Sequence, residues 1–120
     1  MNRHITKIDE QLPLTPAVFH ILLALADQER HGYGIMQEVT WMTQRQTIMG
    51  PGTLYGSIKR MLNAKLIEES DERPDPELDD ERRRYYRISA FGRKVLTAEA
   101  QRLSALVHVA QGKRILGEAE

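Results

Sequence analysis

The stretch from Gly50 to Glu69, GPGTLYGSIKRMLNAKLIEE, restricts the possible folds of this chain more than any other part. Its apolar residues recur every three or four positions up to Asn63, a spacing that predicts an amphipathic helix with one face in a core. Pro51 suits the first helical position, where its missing N–H has no intrahelical partner. The residues expected to face the core are Leu54, Ile58, Met61 and Leu62.

The opposite face of this helix has a composition that suits nucleic acid. No carboxylate occurs between Gly50 and Asn63, and the side chains assigned to this face are small, hydroxylated or basic. Such a surface can lie in a major groove and contact phosphates and base edges. An ordinary amphipathic surface helix is the alternative. The assigned contacts are Thr53, Ser57 and Arg60 for base edges and Lys59 for phosphate.

Two further helices are predicted ahead of this one. Residues 1–13 are expected to form a flexible N-terminal arm, and Thr15 with Pro16 then marks the start of a helix that ends near Asp27. A second helix is expected over residues 33–43. Three helices in this order indicate a helix-turn-helix unit, in which the earlier helix crosses the DNA backbone and the later one enters the groove.

Two extended segments follow, over residues 66–70 and 83–89. The loop between them contains two prolines and many carboxylates, which favours an exposed hairpin. The expected fold is therefore mainly α with a small two-stranded β-wing: a winged helix-turn-helix over residues 14–89 with a C-terminal dimerisation helix.

The formal net charge is zero, but the charges are segregated. Residues 68–81 are strongly acidic, whereas residues 82–94 contain six basic residues and no carboxylate. A carboxylate-rich wing tip is repelled by phosphates, so we expect the tip to stay clear of DNA and the wing base to contact it through Arg82, Arg83 and Arg84. The alternative is a solvated strand edge paired with the acidic loop.

A long last helix is predicted from Ser89, which can cap it, to about Gly112, within a C-terminal unit of residues 90–120. Its length of roughly 30 Å exceeds what a small three-helix core can cover, so a second copy of the chain is expected to cover the rest. The alternative is that the helix folds back on its own domain. The predicted dimer contacts are Val95, Leu96, Leu103, Leu106, Val107 and Ala110.

Two aromatic residues have open roles. Tyr55 can pack its ring while its hydroxyl reaches a phosphate, or it can be purely structural. Trp41 is the only tryptophan and can stack on a planar effector at the dimer interface, although packing against the last helix is the alternative.

Catalysis and membrane insertion have little support. The four histidines lack metal-ligand spacing, there is no cysteine, and no phosphate-binding glycine motif occurs, so no metal, cofactor or enzymatic activity is expected. No apolar run approaches the roughly 20 residues of a membrane span, and the N-terminus has no signal-peptide pattern. We therefore expect a cytoplasmic protein.

Several separated motifs resemble those of the PadR family of transcriptional regulators, in the subgroup with a short C-terminal helix. They are LTPAVFHILLALADQERHGYGIMQEV, GPGTLYGSIKRMLNAKLIEE and RRRYYRISAFGRKVL, in that order. The resemblance implies a winged helix, a two-fold dimer through the last helix and usually repression, relieved in some members by a small aromatic or cationic ligand. The matching residues are Gly52, Thr53, Leu54, Tyr55, Lys59 and Arg60 in the recognition helix, His31, Gly32 and Tyr33 before the second helix, and Arg84, Tyr85, Tyr86 and Gly92 in and after the wing.

The sequence therefore predicts a homodimeric, sequence-specific regulator that binds double-stranded DNA at an inverted-repeat operator and can be released by a small-molecule effector. Two alternatives are a winged helix that binds another protein and a ligand sensor with weak affinity for DNA.

Overall fold

The computed structural model describes residues 6–70 and 84–117, which contain five helices and one small sheet. The helices pack around one core and the sheet lies at its edge, so the fold is the predicted, mainly helical winged helix-turn-helix. No helix in these residues is both long enough and apolar enough to cross a membrane. In chain order the elements are α1 (Lys7–Gln11), α2 (Pro16–Leu25), β1 (Arg30–His31), α3 (Gly32–Met42), α4 (Pro51–Asn63), β2 (Ile67–Ser70), β3 (Tyr85–Ile88) and α5 (Ala90–Gly112).

The predicted helix starts are confirmed by their hydrogen bonds. The Thr15 side chain accepts from the N–H of Val18 at the start of α2, and Pro16 occupies the first helical position. The Ser89 hydroxyl accepts from the N–H of Gly92 at the start of α5, at 2.8 Å. A capping oxygen satisfies an N–H that the helix itself leaves unpaired.

The sheet has three strands rather than the predicted two. β2 and β3 form the antiparallel hairpin, and β1 pairs with the other edge of β3, where His31 lies opposite Tyr85. A two-residue strand is too short to produce a periodic pattern, so the sequence did not indicate it. This third strand ties the wing directly to the start of α3.

The prediction of a flexible N-terminal arm is wrong for residues 6–13. Thr6 and Asp9 form a reciprocal capping box that starts α1, and Ile8 and Leu12 pack against the core. The α1 helix lies against α5, so the N-terminal segment is part of the domain.

The core holds the helix-turn-helix unit as one body. Its fully buried side chains come from α2, α3, α4, the sheet and the first half of α5, so the orientation of α4 is fixed from several directions. Its largest members are Ile21, Leu22, Leu25, Ile35, Val39, Leu54, Met61, Ile67 and Val95.

Candidate nucleic-acid interface

The α4 helix separates a buried face from a polar face, as predicted. Leu54, Ile58 and Met61 are buried in the core. The outer face of α4 is exposed at Gly52, Thr53, Lys59, Arg60 and Asn63 and includes the half-buried Gly56. This face carries two cations and no carboxylate.

The assignment of Ser57 to this outer face is wrong. Its side chain is 0% exposed, because position 57 lies next to Met61 and Leu54 on the helical wheel and therefore points into the core. The Arg60 guanidinium donates to the Ser57 hydroxyl at 3.3 Å. Ser57 thus cannot reach a base edge, but it anchors the side chain of a residue that can.

The first turn of α4 can bind an anion. Gly50 occupies the N-cap position and has no side chain that could accept hydrogen bonds from the N–H groups of the first turn. No acidic residue lies in that turn, so the positive end of the helix dipole faces outward without a neutralising charge. Gly52 and Thr53, both exposed, leave room for a phosphate to approach.

Tyr55 joins the two helices of the helix-turn-helix unit. It is half-buried, and a Cβ atom placed on Gly32 would lie 2.4 Å from its hydroxyl oxygen. Only a glycine at the first position of α3 therefore allows this approach. Tyr55 has a structural contact in the protein, at the point where α3 begins.

His31 was matched to the family pattern but was not recognised as a capping residue. Its Nδ1 atom accepts from the N–H of Gly34 at 2.9 Å, which makes it the N-cap of α3. The His31 ring also meets Tyr85 of β3 edge-on, with centroids 5.2 Å apart. One side chain therefore holds the wing against the helix-turn-helix unit; a polar residue immediately before the second helix was the available signal.

The base of the wing is less basic than the sequence indicated. The guanidinium of Arg84 lies 3.9 Å from the carboxylate of Glu69, and that of Arg87 lies 3.4 Å from that of Glu68. All four side chains are about half-exposed, and exposed ion pairs of this kind contribute little stability, so Arg84 can exchange its partner for a phosphate. Arg82, Arg83 and the acidic tip lie outside the described residues.

Only part of the predicted apolar stripe on α5 is free to bind another subunit. Val95 and Leu96 are 0% and 7% exposed because they complete the core of their own domain, so their assignment as dimer contacts is wrong. Leu106 and Val107 are 53% and 46% exposed, while Leu103 and Ala110 are half-buried. The second half of α5 therefore carries an apolar surface that its own subunit does not cover.

Glu99 lies where the buried half of α5 ends. Its carboxylate is buried and accepts from the backbone N–H of Leu14 and from the guanidinium of Arg102. The hydrogen bond from Arg102 keeps the pKa of this carboxyl below its usual range, although burial acts in the opposite direction. The sequence did not indicate this role, since a single glutamate on a helix is usually solvated.

Trp41 lines an open groove of about 740 Å³ along the outer side of α3. It is 75% exposed, so the alternative that it packs against the last helix of its own subunit is wrong. Tyr33 and Ile48 are also exposed there, and Met36 and Met49 complete the apolar lining. Arg45 is the charged residue among those that line the groove.

The three-helix core, the wing and the outer face of α4 define a transcriptional regulator of the winged helix-turn-helix class. The model of the transcriptional regulator PadR-like family matches residues 21–98, which is more than half of the chain. The chain belongs to this family, and membership confirms both the resemblance and the prediction that it is not an enzyme.

One of two similar proteins is named as a regulator of this kind. The chain is 36% identical over 93 residues to the transcriptional regulator Rv3488 of Mycobacterium tuberculosis, covering 78% of this chain and 80% of the relative. It is 30% identical over 86 residues, 72% of this chain, to an uncharacterised 37.1 kDa protein in a transposon of Streptomyces fradiae, and spans only 22% of that longer protein.

Solved structures show the same fold. A PadR family transcription regulator from Clostridium difficile superimposes with a TM-score of 0.67 at 24% identity, covering 86% of this chain and all of that one. A PadR-like regulator from Bacillus cereus superimposes with a TM-score of 0.64 at 23% identity, covering 84% of this chain and 92% of that one.

Proposed function

We propose that this PadR-like regulator is a homodimeric repressor that binds an inverted-repeat operator on double-stranded DNA in the cytoplasm. The observation that carries the proposal is the exposed, carboxylate-free outer face of α4 on a rigidly packed helix-turn-helix unit. The uncovered apolar half of α5 supplies the surface for the second subunit. A two-fold dimer would present two α4 helices to successive major grooves, about 34 Å apart.

The proposed contacts divide into two groups. Thr53 and Arg60, both exposed on the outer face of α4, read base edges. Contacts to phosphate fix the position of the protein on the duplex and carry no sequence information. The proposed phosphate ligands are Tyr55, Lys59, Arg82, Arg83 and Arg84.

The salt dependence of binding tests the proposal. An operator duplex is first selected with the full chain from a randomised library, and the dissociation constant is then measured by fluorescence anisotropy at several salt concentrations. Binding that neutralises phosphates releases counterions, so the logarithm of the affinity must fall steeply with the logarithm of the salt concentration. Absence of binding at low salt would contradict the proposal.

The proposed roles of Lys59 and Arg60 predict different effects of alanine substitution on DNA binding. Arg60→Ala should weaken operator binding by about 1–3 kcal/mol and relax the preference at one base pair, whereas Lys59→Ala should weaken all sequences alike and reduce the salt slope by about one. Lys113→Ala, at the far end of α5, is the matched control and should change neither quantity. Equal losses on operator and random DNA for Arg60→Ala would show that Arg60 does not read a base.

A winged helix that binds another protein is the competing class, and the exposed half of α5 favours it. In that case Leu106, Val107 and Val109 would contact a different chain rather than a second copy. Sedimentation analysis of the isolated protein distinguishes the two, because only the homodimer forms without a partner.

We also propose that the groove at Trp41 takes a small planar effector. Tyr33, Trp41 and Ile48 present exposed apolar surface there, and a planar aromatic ring can stack on the indole. No residue lining the groove is acidic, which favours an aromatic effector over a cationic one. A ligand sensor with weak DNA affinity would use the same groove.

The only tryptophan of the chain makes this proposal measurable. A planar aromatic compound that stacks on Trp41 should quench its fluorescence, raise the melting temperature and lower operator affinity, because it binds one folded state preferentially. Ile48→Ala should weaken all three responses, whereas Leu23→Ala, exposed on α2 and outside the groove, should leave them unchanged. If Ile48→Ala does not alter the quenching, the compound binds outside the groove.

A further inference from the structure

Glu99 occupies a position of α5 where the helical pattern calls for an apolar residue. The buried residues of α5 are Gly92, Val95, Leu96 and Glu99, which recur at intervals of three and four. Glu99 is the last of them and is only 1% exposed. Every later residue of the helix is exposed or half-buried, so Glu99 marks the point where α5 leaves the domain.

The carboxylate is held by donors from two directions. Its Oε2 atom accepts from the backbone N–H of Leu14 at 2.7 Å and from Nη2 of Arg102 at 3.2 Å. Its Oε1 atom accepts from Nε of Arg102 at 2.5 Å. A buried carboxylate is tolerated only when it is paired in this way. An apolar side chain would fill the same space without such partners and without their directionality.

These bonds connect α5 to the helix-turn-helix unit. Leu14 lies next to Thr15, the N-cap of α2, and α2 packs against both α3 and α4. The bond between Glu99 and Leu14 therefore links the exit of α5 to the start of the helix on which the recognition helix rests. It joins residues 85 positions apart in the chain.

The direction of α5 at Glu99 determines the position of the far end of the helix. Residues 100–112 extend about 20 Å beyond Glu99, at about 1.5 Å per residue. A change of about 10° in the helix direction would move the far end by about 3.5 Å, which is close to the rise of one base pair, about 3.4 Å. Two subunits that pair through this half of α5 would thereby change the separation of their α4 helices.

We propose that Glu99 is a positioning residue for operator recognition: by binding Leu14 and Arg102 it sets the direction of α5 and hence the spacing of the two half-sites that the dimer accepts. This inference rests on the proposed function as a dimer on an inverted repeat. It assigns Glu99 no contact with DNA, so affinity for a single half-site should be independent of it.

The experiment uses the full-length protein and a series of operator duplexes. The selected inverted repeat is rebuilt with its half-sites brought closer or moved apart by one and two base pairs, and a duplex with one half-site is added. Competition anisotropy then gives relative affinities for the wild type, Glu99→Leu, Glu99→Gln and Gln101→Ala. Gln101 is the matched control, because it is exposed on α5 two positions away.

The wild type and Gln101→Ala should prefer one spacing by about tenfold over its neighbours, the order of magnitude of one mismatched base pair. Glu99→Leu should be dimeric, bind the single half-site as the wild type does, and discriminate less than about threefold between adjacent spacings. Glu99→Gln should show a spacing preference between those of the wild type and Glu99→Leu, since its amide oxygen can still accept a hydrogen bond from the N–H of Leu14.

A dimeric Glu99→Leu protein with the wild-type spacing preference would overturn the inference and leave the proposed function intact. If Glu99→Leu does not fold, the nearly isosteric Glu99→Gln decides in the same assay: an unchanged preference overturns the inference. A wild-type protein that binds without regard to spacing would overturn the inverted-repeat dimer itself, and the inference with it.

Discussion

Gly92→Ala should lower the free energy of unfolding by about 3 kcal/mol, the upper part of the range for overpacking a core. A Cβ atom at this position would lie 1.9 Å from the carbonyl oxygen of Leu66 and 2.9 Å from its carbonyl carbon. Neither atom belongs to a side chain that can rotate away. The start of α5 would have to move away from the segment that leads into β2.

That movement would break other bonds at the same junction. The backbone N–H of Ser89 donates to the Leu66 carbonyl at 3.1 Å, and the Ser89 hydroxyl donates to the backbone carbonyl of Lys65 at 2.6 Å. The same hydroxyl caps α5 by accepting from Gly92. A methyl group at position 92 thus disturbs the cap, the junction with β2 and the buried packing of α5 together.

Chemical denaturation at a fixed protein concentration measures this effect, since the stability of a dimer depends on concentration. Gly112→Ala is the control on the same helix, because nothing lies within 4 Å of a Cβ atom there. It should leave stability unchanged or raise it by less than about 1 kcal/mol. A Gly92→Ala protein as stable as Gly112→Ala would show that the close approach to Leu66 does not exist in solution.

The sequence predicted the fold because each major element had a strong local signal. The apolar spacing of α4, the Thr15–Pro16 start of α2 and the Ser89 cap of α5 all identify helices from nearby residues alone. The elements that were missed have weak local signals. Both β1, with two residues, and α1, with five, are shorter than the window over which periodicity can be recognised.

The errors at the candidate interface come from tertiary packing. Ser57 is polar but buried, and Val95 and Leu96 are apolar but belong to the core rather than to a subunit interface. A periodic pattern shows that a face is apolar and does not show which partner covers it. The role of Glu99 and the ring contact of His31 depend on partners that only the folded structure brings close, which are Leu14 and Tyr85 respectively.

The second large effect is expected at the uncovered half of α5, where Leu106→Glu should convert the proposed dimer into a folded monomer. Leu106 is 53% exposed in one subunit, so a glutamate there costs the isolated fold little. At a two-fold interface each side chain occurs twice, and the substitution would bury two carboxylates without partners. Operator affinity should then fall by about 100-fold or more, because two linked half-site contacts become independent ones.

His108→Glu is the matched control for this prediction. His108 is exposed on α5 and lies about 160° around the helix from Leu106, so the same charge should leave both mass and affinity near the wild-type values. Sedimentation equilibrium gives the mass, anisotropy gives operator affinity, and the affinity for a single half-site should be equal in all three proteins. If Leu106→Glu remains dimeric and binds the operator normally, the second half of α5 is not the surface that pairs the two recognition helices, and the partner for that apolar face must be a different chain.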